Sequence, residues 1–230
     1  RVHYFVANSK HVAGKVKDLY GRVAEVIHPP VDLDKFHIDI DDHRESFYLI
    51  VSALVPYKNI SLAIAAFNRL KLPLKVVGDG PLKESLNKQA EPNVEFLGWV
   101  DDARLAVLYA ECEALIFPGE EDFGIVPLEA QASGRPVIAY GKGGVRESVI
   151  GIDDRCGSGA TGIFFSEPTP ASLIEAVPRY QRIKHTFEPA ALRRHASGFS
   201  RTAFKTQMKE SIDTKLFHRA SAPRQNAETV

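Results

Sequence analysis

The stretch ALIFPGEEDFGIVPLEAQASGRPVIAY, residues 114–140, decides the fold. Its ends, "ALIFP" (114–118) and "PVIAY" (136–140), are short apolar runs of the kind found in strands covered on both faces. Between them lie a loop, "GEEDFG", and a helical segment, "PLEAQAS". Pro127 suits the first helical position, where its missing N–H would be unpaired in any case. Gly134 supplies the natural stop before the second strand. Strand, loop, helix and strand in so few residues make a βαβ unit, and such units build parallel sheets.

The same alternation runs outward from this unit. "FYLIVSAL" (47–54), "LKVVG" (74–78), "VEFLG" (94–98) and "TGIFF" (161–165) read as further strands, each ending at a turn-forming or polar residue. "SLAIAAFNRL" and "ARLAVLYA" carry the helical periodicity, with Leu62, Ala65, Ala66 and Leu70 on one face of the first. The reading is α/β: a Rossmann-like, doubly wound parallel sheet with helices on both sides. Ligands of such sheets sit at the carboxyl ends of the strands, so the loop after "ALIFP" is where chemistry is expected.

Glu121 lies on that loop and Glu129 in the first helical turn after it, eight positions apart. Backbone N–H groups around Gly124, Ile125 and Val126, with a helix dipole behind them, make an anion site. Carboxylates beside it accept from hydroxyl donors, and a ribose diol can engage both oxygens of one. A phosphate joined to hydroxyl-rich groups, as in a sugar nucleotide, has all these parts. The plainer alternative is that both acids merely complement a helix N-terminus, a frequent arrangement.

Composition excludes several function classes. The 29 basic and 29 acidic side chains balance, which argues against a nucleic-acid partner. No apolar run approaches the roughly 18 residues that cross a bilayer, and the opening residues show no signal-peptide pattern. The two cysteines, Cys112 and Cys156, are too few for a disulfide framework or a zinc site, and read as a reducing compartment. The eight histidines show no metal-ligand spacing. The single methionine is Met208, and the chain opens on "RVHYFVANS", which reads as a piece of a longer protein.

Several separated segments carry a family likeness. "EEDFGIVPLEAQASGRPVIAYGKGGVRESV" resembles the Glu-x7-Glu segment of retaining glycosyltransferases of family 4, which have the GT-B fold. "VSALVPYKNISLAIAAFNRL", "LKVVGDGPLKESL", "NVEFLGWVDDARLAVLYAECEALIFP" and "TGIFF" match other stations of that family in order and spacing. "ANSKHVAGKVKDLYGRVAEVIHPPVDLDKF" is similar to the passage from the amino-terminal domain into the nucleotide-binding one, and "FEPAALRRHASGFSRTAF" to the closing helices. The likeness is strongest to bacterial mannosyltransferases of surface polysaccharide synthesis.

The resemblance implies a division of the chain and a set of roles. Residues 1–32 would end an amino-terminal domain and link it onward; 33–187 would form the nucleotide-sugar-binding domain. Residues 188–212 would be closing helices; the polar, aperiodic end of the chain, 213–230, reads by its composition as a disordered tail. Glu129 is expected on the ribose hydroxyls and Glu121 on the donor sugar near the reacting carbon. Phe123, Gly124, Ile125 and Val126 would offer backbone amides to sugar and diphosphate, and Lys58 would neutralise the departing diphosphate. Val100 resembles the residue whose backbone holds the base, and Gly78 and Gly80 of "GDG" would line the same cleft. No metal or cofactor is implied. The implied donor is GDP-mannose and the acceptor a polysaccharide or lipid-linked glycan. The resemblance further implies a missing amino-terminal partner domain and a cytoplasmic place, peripheral to the inner face of the membrane.

Each role has a plainer alternative: Lys58 as a solvated loop lysine, Val100 as core, "GDG" as a turn. "GKGG" (141–144) reads as a flexible turn or a phosphate cradle, and Trp99 as a stacking platform or a half-buried strand end. Two departures from the family pattern stand out. Ala53 occupies the place of a usual arginine five positions before the lysine, and Asn59 follows Lys58 where glycine or arginine is common. Two other function classes therefore remain: a non-catalytic nucleotide-binding module, and another GT-B enzyme such as a sugar-nucleotide epimerase.

Overall fold

The computed structural model describes residues 2–39, 46–152 and 159–221. Cys156 and residues 222–230 lie outside them. The chain begins with strand β1 (Phe5–Ala7), helix α1 (Lys10–Tyr20) and strand β2 (Ala24–Val26), the two strands pairing in parallel as a small separate sheet. Ser9 caps α1 by accepting from the Val12 amide at 3.0 Å, and Gly21 closes it in the left-handed region.

The main body follows. It contains β3 (Tyr48–Val51), α2 (Ile60–Leu70), β4 (Leu74–Val77), α3 (Lys83–Gln89), β5 (Val94–Gly98) and α4 (Asp102–Glu111). It continues with β6 (Leu115–Phe117), α5 (Ile125–Ala132), β7 (Val137–Tyr140), α6 (Val145–Ser148), β8 (Gly162–Phe165) and α7 (Pro170–Ile183). The six strands β3 to β8 form one parallel sheet in the order β5-β4-β3-β6-β7-β8. All six strands expected from apolar runs are present, within a few residues of their expected ends.

Alternation along each strand explains why the sheet is covered on both sides. Tyr48, Ile50, Val76, Ile116, Ile138 and Ile163 face one core with Ile64 and Phe67 of α2 and Val177 and Tyr180 of α7. Leu49, Val77, Leu115, Phe117, Val137 and Ala139 face the other with Leu108 and Tyr109 of α4 and Leu128 of α5. Neighbouring residues of one strand thus serve opposite cores, which is why the strands read as continuous apolar runs.

Two helices close the described residues: α8 (Pro189–Ser197) and α9 (Arg201–Ser221). The expectation of a disordered tail from residue 213 is corrected over 213–221, which continue α9. The Ser211 hydroxyl donates to Glu25 Oε2 at 2.6 Å, and Lys215 pairs with the same carboxylate, so α9 is tied to β2. A second correction concerns Pro127. It stands at the third helical position, because α5 begins at Ile125 with Gly124 as its cap. N–H groups of the whole first turn lack an intrahelical acceptor, so proline costs no hydrogen bond there either. Among the described residues no helix is long and apolar enough to cross a membrane.

Candidate active site

The strand order reverses between β3 and β6, and a crevice opens at their carboxyl ends. Two loops meet there: residues 52–59 after β3, and 118–124 after β6. The Asn59 side-chain amide donates to the Pro118 carbonyl at 3.4 Å and joins them. Asn59 itself sits at φ 54, a left-handed conformation that asparagine tolerates better than most residues.

Across this junction the Lys58 ammonium pairs with Oε1 of Glu121, the two side chains being only 16% and 22% exposed. Lys58 is therefore no solvated surface lysine. The backbone of Glu121 is held from a third loop: the Gly144 amide donates to the Glu121 carbonyl at 2.8 Å, and Glu121 bridges to Gly143. A side chain at Gly144 would put its Cβ 2.0 Å from the Asp122 carbonyl oxygen, so that position must be glycine. The "GKGG" turn thus buttresses the acidic loop.

The neighbouring acids have other partners. Glu120 lies 3.2 Å from Lys142 Nζ and 3.8 Å from His11 Nε2, and Asp122 lies 2.9 Å from Lys15 Nζ. A cleft of about 610 Å³ opens here, walled by His11 and Lys15 of α1, by Tyr57 and Asn59, and by the three acids. His11, Lys15, Glu120 and Asp122 were not singled out in the sequence. The α1 residues stand more than a hundred positions from the acids, so no local pattern joins them.

Glu129 is one turn into α5 and mostly buried. The Tyr109 hydroxyl donates to its Oε2 at 2.8 Å. Burial pushes the Glu129 carboxyl above the usual glutamate range; the Tyr109 bond and the Lys35 charge only partly offset this. Tyr109, fully buried, is itself pushed well above its ordinary value by desolvation and by the Glu129 charge. Lys35 pairs with Asp102 at 2.5 Å nearby.

The remaining expected residues fall as follows. Phe123 is buried, its ring stacked on His28 at 5.2 Å and tilted against Phe199 at 5.8 Å, so its side chain serves the core. Gly124, Ile125 and Val126 form the cap and first turn of α5 beside Glu121. Val100 packs partly into the core shared with α4 and α5. Gly78 and Gly80 follow β4, and a Cβ on Gly78 would meet the Ser52 carbonyl oxygen at 1.9 Å. Close backbone approach thus explains that glycine without any ligand. Trp99 is 78% exposed, so it is not a half-buried strand end. Ala53 is exposed beyond the end of β3. Cys112 is buried, and desolvation pushes its thiol up to about 12.

Glu147 of α6 joins the first segment to this site. Its carboxylate accepts from the Lys10 amide at 2.8 Å, the His11 amide at 3.1 Å and the His28 ring at 3.0 Å. Burial alone would raise its pKa, but these bonds together hold it below the ordinary value.

Comparison with known proteins fits this geometry. The family described as "Glycosyl transferases group 1" matches residues 34–185. The chain belongs to that family. Relatives within it include O-antigen chain mannosyltransferase C of Escherichia coli, 28% identical over 60% of this chain and 42% of its own length. Another is alpha-1,3/1,6-mannosyltransferase ALG2 of Mus musculus, 26% identical over 92% of this chain and 58% of its own. Glycogen synthase of Mycobacterium tuberculosis is 32% identical over 56% of this chain and 32% of its own. This chain thus spans about half the length of the two mannosyltransferases. Among solved structures, HepE of Anabaena in complex with UDP superposes with a TM-score of 0.79 at 21% identity, covering 92% of this chain and 64% of that one. Sucrose-phosphate synthase of Thermosynechococcus elongatus gives 0.78 at 22%, covering 93% and 58%. The fold is that of GT-B glycosyltransferases.

Proposed function

We propose that the chain is the carboxy-terminal, nucleotide-sugar-binding half of a retaining family-4 glycosyltransferase. The whole enzyme transfers mannose from GDP-mannose to a polysaccharide or lipid-linked acceptor on the cytoplasmic side of a membrane. One observation carries this reading: Lys58 and Glu121 meet at the strand-order reversal, beside the amino end of α5. A cation, the amides that open α5 and a carboxylate lie together, a set that suits a diphosphate joined to a sugar. Mannosyltransferases among the relatives support the choice of sugar.

In this reading Glu129 accepts from the ribose hydroxyls, one of its oxygens being held by Tyr109. The diphosphate lies against Lys58 and the amides of Phe123, Gly124, Ile125 and Val126, and Glu121 accepts from sugar hydroxyls. The bond between the anomeric carbon and the diphosphate oxygen breaks, and its electron pair leaves with the diphosphate. The acceptor hydroxyl adds to the same face and passes its proton to the departing oxygen, so configuration is retained. Residues 1–32 belong to the acceptor domain's edge, and the cleft between α1 and the acidic loop faces the acceptor.

The deciding experiment is a thermal-shift panel of GDP, UDP, ADP and dTDP sugars on the chain, repeated with Lys58→Ala. Loss of the phosphate contact should weaken the preferred ligand roughly ten- to a hundredfold, the worth of a charge-assisted bond. A chain that answers to none of the four at millimolar concentration is not a nucleotide-sugar domain. Ala53 in place of an arginine favours a second reading, a nucleotide-binding module without catalysis. Binding with no transfer by the full-length protein would select it.

A further inference from the structure

Lys58 is the sole basic residue of the loop 52–59, and it is mostly buried. A buried ammonium needs a counter-charge, and Glu121 supplies it across the junction of two loops. The pairing is particular to that residue. Glu120 and Asp122, its immediate neighbours, are turned to Lys142, His11 and Lys15. The main chain of Glu121 is fixed by Gly143 and Gly144, so leaving Lys58 requires only rotation of the side chain.

We infer that Glu121 is a built-in competitor for the anion that Lys58 binds. The diphosphate enters by exchange: it takes the ammonium, and the released carboxylate swings to the hydroxyl-rich group attached to that diphosphate. This deepens the proposed function and rests on it for the identity of the anion's carrier. Exchange has two physical consequences. Lys58 is never left buried and unpaired, before or after binding. The carboxylate that will contact the sugar is delivered by the arrival of the phosphate, so a ligand lacking the diphosphate does not free it.

The sign of the resulting effect is unusual for a site residue. Removing the Glu121 charge should tighten anion binding. The test is calorimetry at about 0.15 M salt, where charges beyond roughly 8 Å are screened, with inorganic pyrophosphate, GDP and UDP on the wild-type chain, Glu121→Gln and Glu120→Gln. Glu121→Gln should bind pyrophosphate about tenfold tighter, the scale of one charge-assisted contact no longer competed for. Glu120→Gln removes the same charge from the same loop without freeing Lys58, so it should change affinity by no more than about twofold, as a screened neighbouring charge does. Equal or weaker binding by Glu121→Gln overturns the inference. An equal gain in both variants overturns it too, because the loop's net charge would then be the cause. If pyrophosphate tightens as expected while neither GDP nor UDP binds any of the three proteins, the exchange stands and the nucleotide reading falls. A reading independent of variants comes from carbon NMR of the wild-type chain. The Glu121 side-chain carboxyl resonance should move on adding pyrophosphate and that of Glu129 should not; an unmoved Glu121 sinks the exchange.

Discussion

The hydroxyl of Tyr109 donates to Oε2 of Glu129 at 2.8 Å, joining α4 to α5 beneath the site. Tyr109 is fully buried and packs edge-on against Phe36 at 5.5 Å, so it has little freedom to turn elsewhere. The bond occupies one carboxylate oxygen and orients the other. Tyr109→Phe should therefore weaken nucleoside diphosphate binding at neutral pH by up to about tenfold. It should also move the pH at which affinity is lost upward, because the carboxyl loses a group that favours its charged form. Calorimetry across pH 5 to 8 checks both; a change in stability with no change in the pH profile would make Tyr109 a packing residue only.

Glu129 should cost the fold stability at neutral pH. Its folded pKa is raised by burial. For an acid shifted this way, stability falls as pH rises from the unfolded value of about 4.3 to the folded one, and the cost stays constant above that. Glu129→Gln keeps an acceptor for Tyr109 and removes the charge. Its melting temperature should exceed that of wild type at pH 7.5 and match it near pH 4, while affinity for ribonucleotides falls. A lower melting temperature at pH 7.5 would show that the ionised carboxylate is well compensated.

Glu147 should behave oppositely. Its folded pKa is held down, so the stability it contributes is full above the unfolded value and is lost as pH falls through the folded one. Glu147→Ala leaves the Lys10 and His11 amides without their acceptor and should cost about 1–3 kcal/mol at pH 7. That is a drop of several degrees in melting temperature for a chain of this size. The difference from wild type should shrink as pH is lowered toward 3. A constant difference across that range would assign the loss to packing rather than to the carboxylate.

Ala53 is exposed, so Ala53→Arg places its charge in water and should leave the melting temperature nearly unchanged. If position 53 faces the diphosphate, the guanidinium adds a second cation suited to two oxygens at once. Affinity for a nucleoside diphosphate should rise more than for the monophosphate, and the gain should shrink with salt. Unchanged affinity would remove residue 53 from the phosphate site.

What could be read from the sequence, and what could not, divides along contact distance. The strands β3 to β8 were legible because both faces of each are buried, which leaves an unbroken apolar run in the chain itself. The passage from loop to helix at Gly124, Ile125 and Val126 was legible because it is a local pattern of turn and helix-start residues. Pro127 was misplaced by two positions because no N–H in the first helical turn has an intrahelical acceptor, so proline is tolerated throughout it. The helix over 213–221 was missed because its stretch is polar and lacks a continuous apolar face; its anchor is the contact of Ser211 and Lys215 with Glu25, far away in the chain.

By itself, then, the sequence determined an α/β chain of alternating strands and helices, with two carboxylates placed about a helix N-terminus. Only the tertiary structure decided which cation meets which acid. Lys58 reaches Glu121 because β3 and β6 lie side by side where the strand order reverses; Tyr109 reaches Glu129 because α4 and α5 share one face of the sheet. Glu147 reaches the amides of Lys10 and His11 from 137 and 136 residues away. Periodicity reports the burial of a residue's own neighbours. Pairing of charges depends on which loops the sheet order brings together, and that order is set by packing over the whole chain.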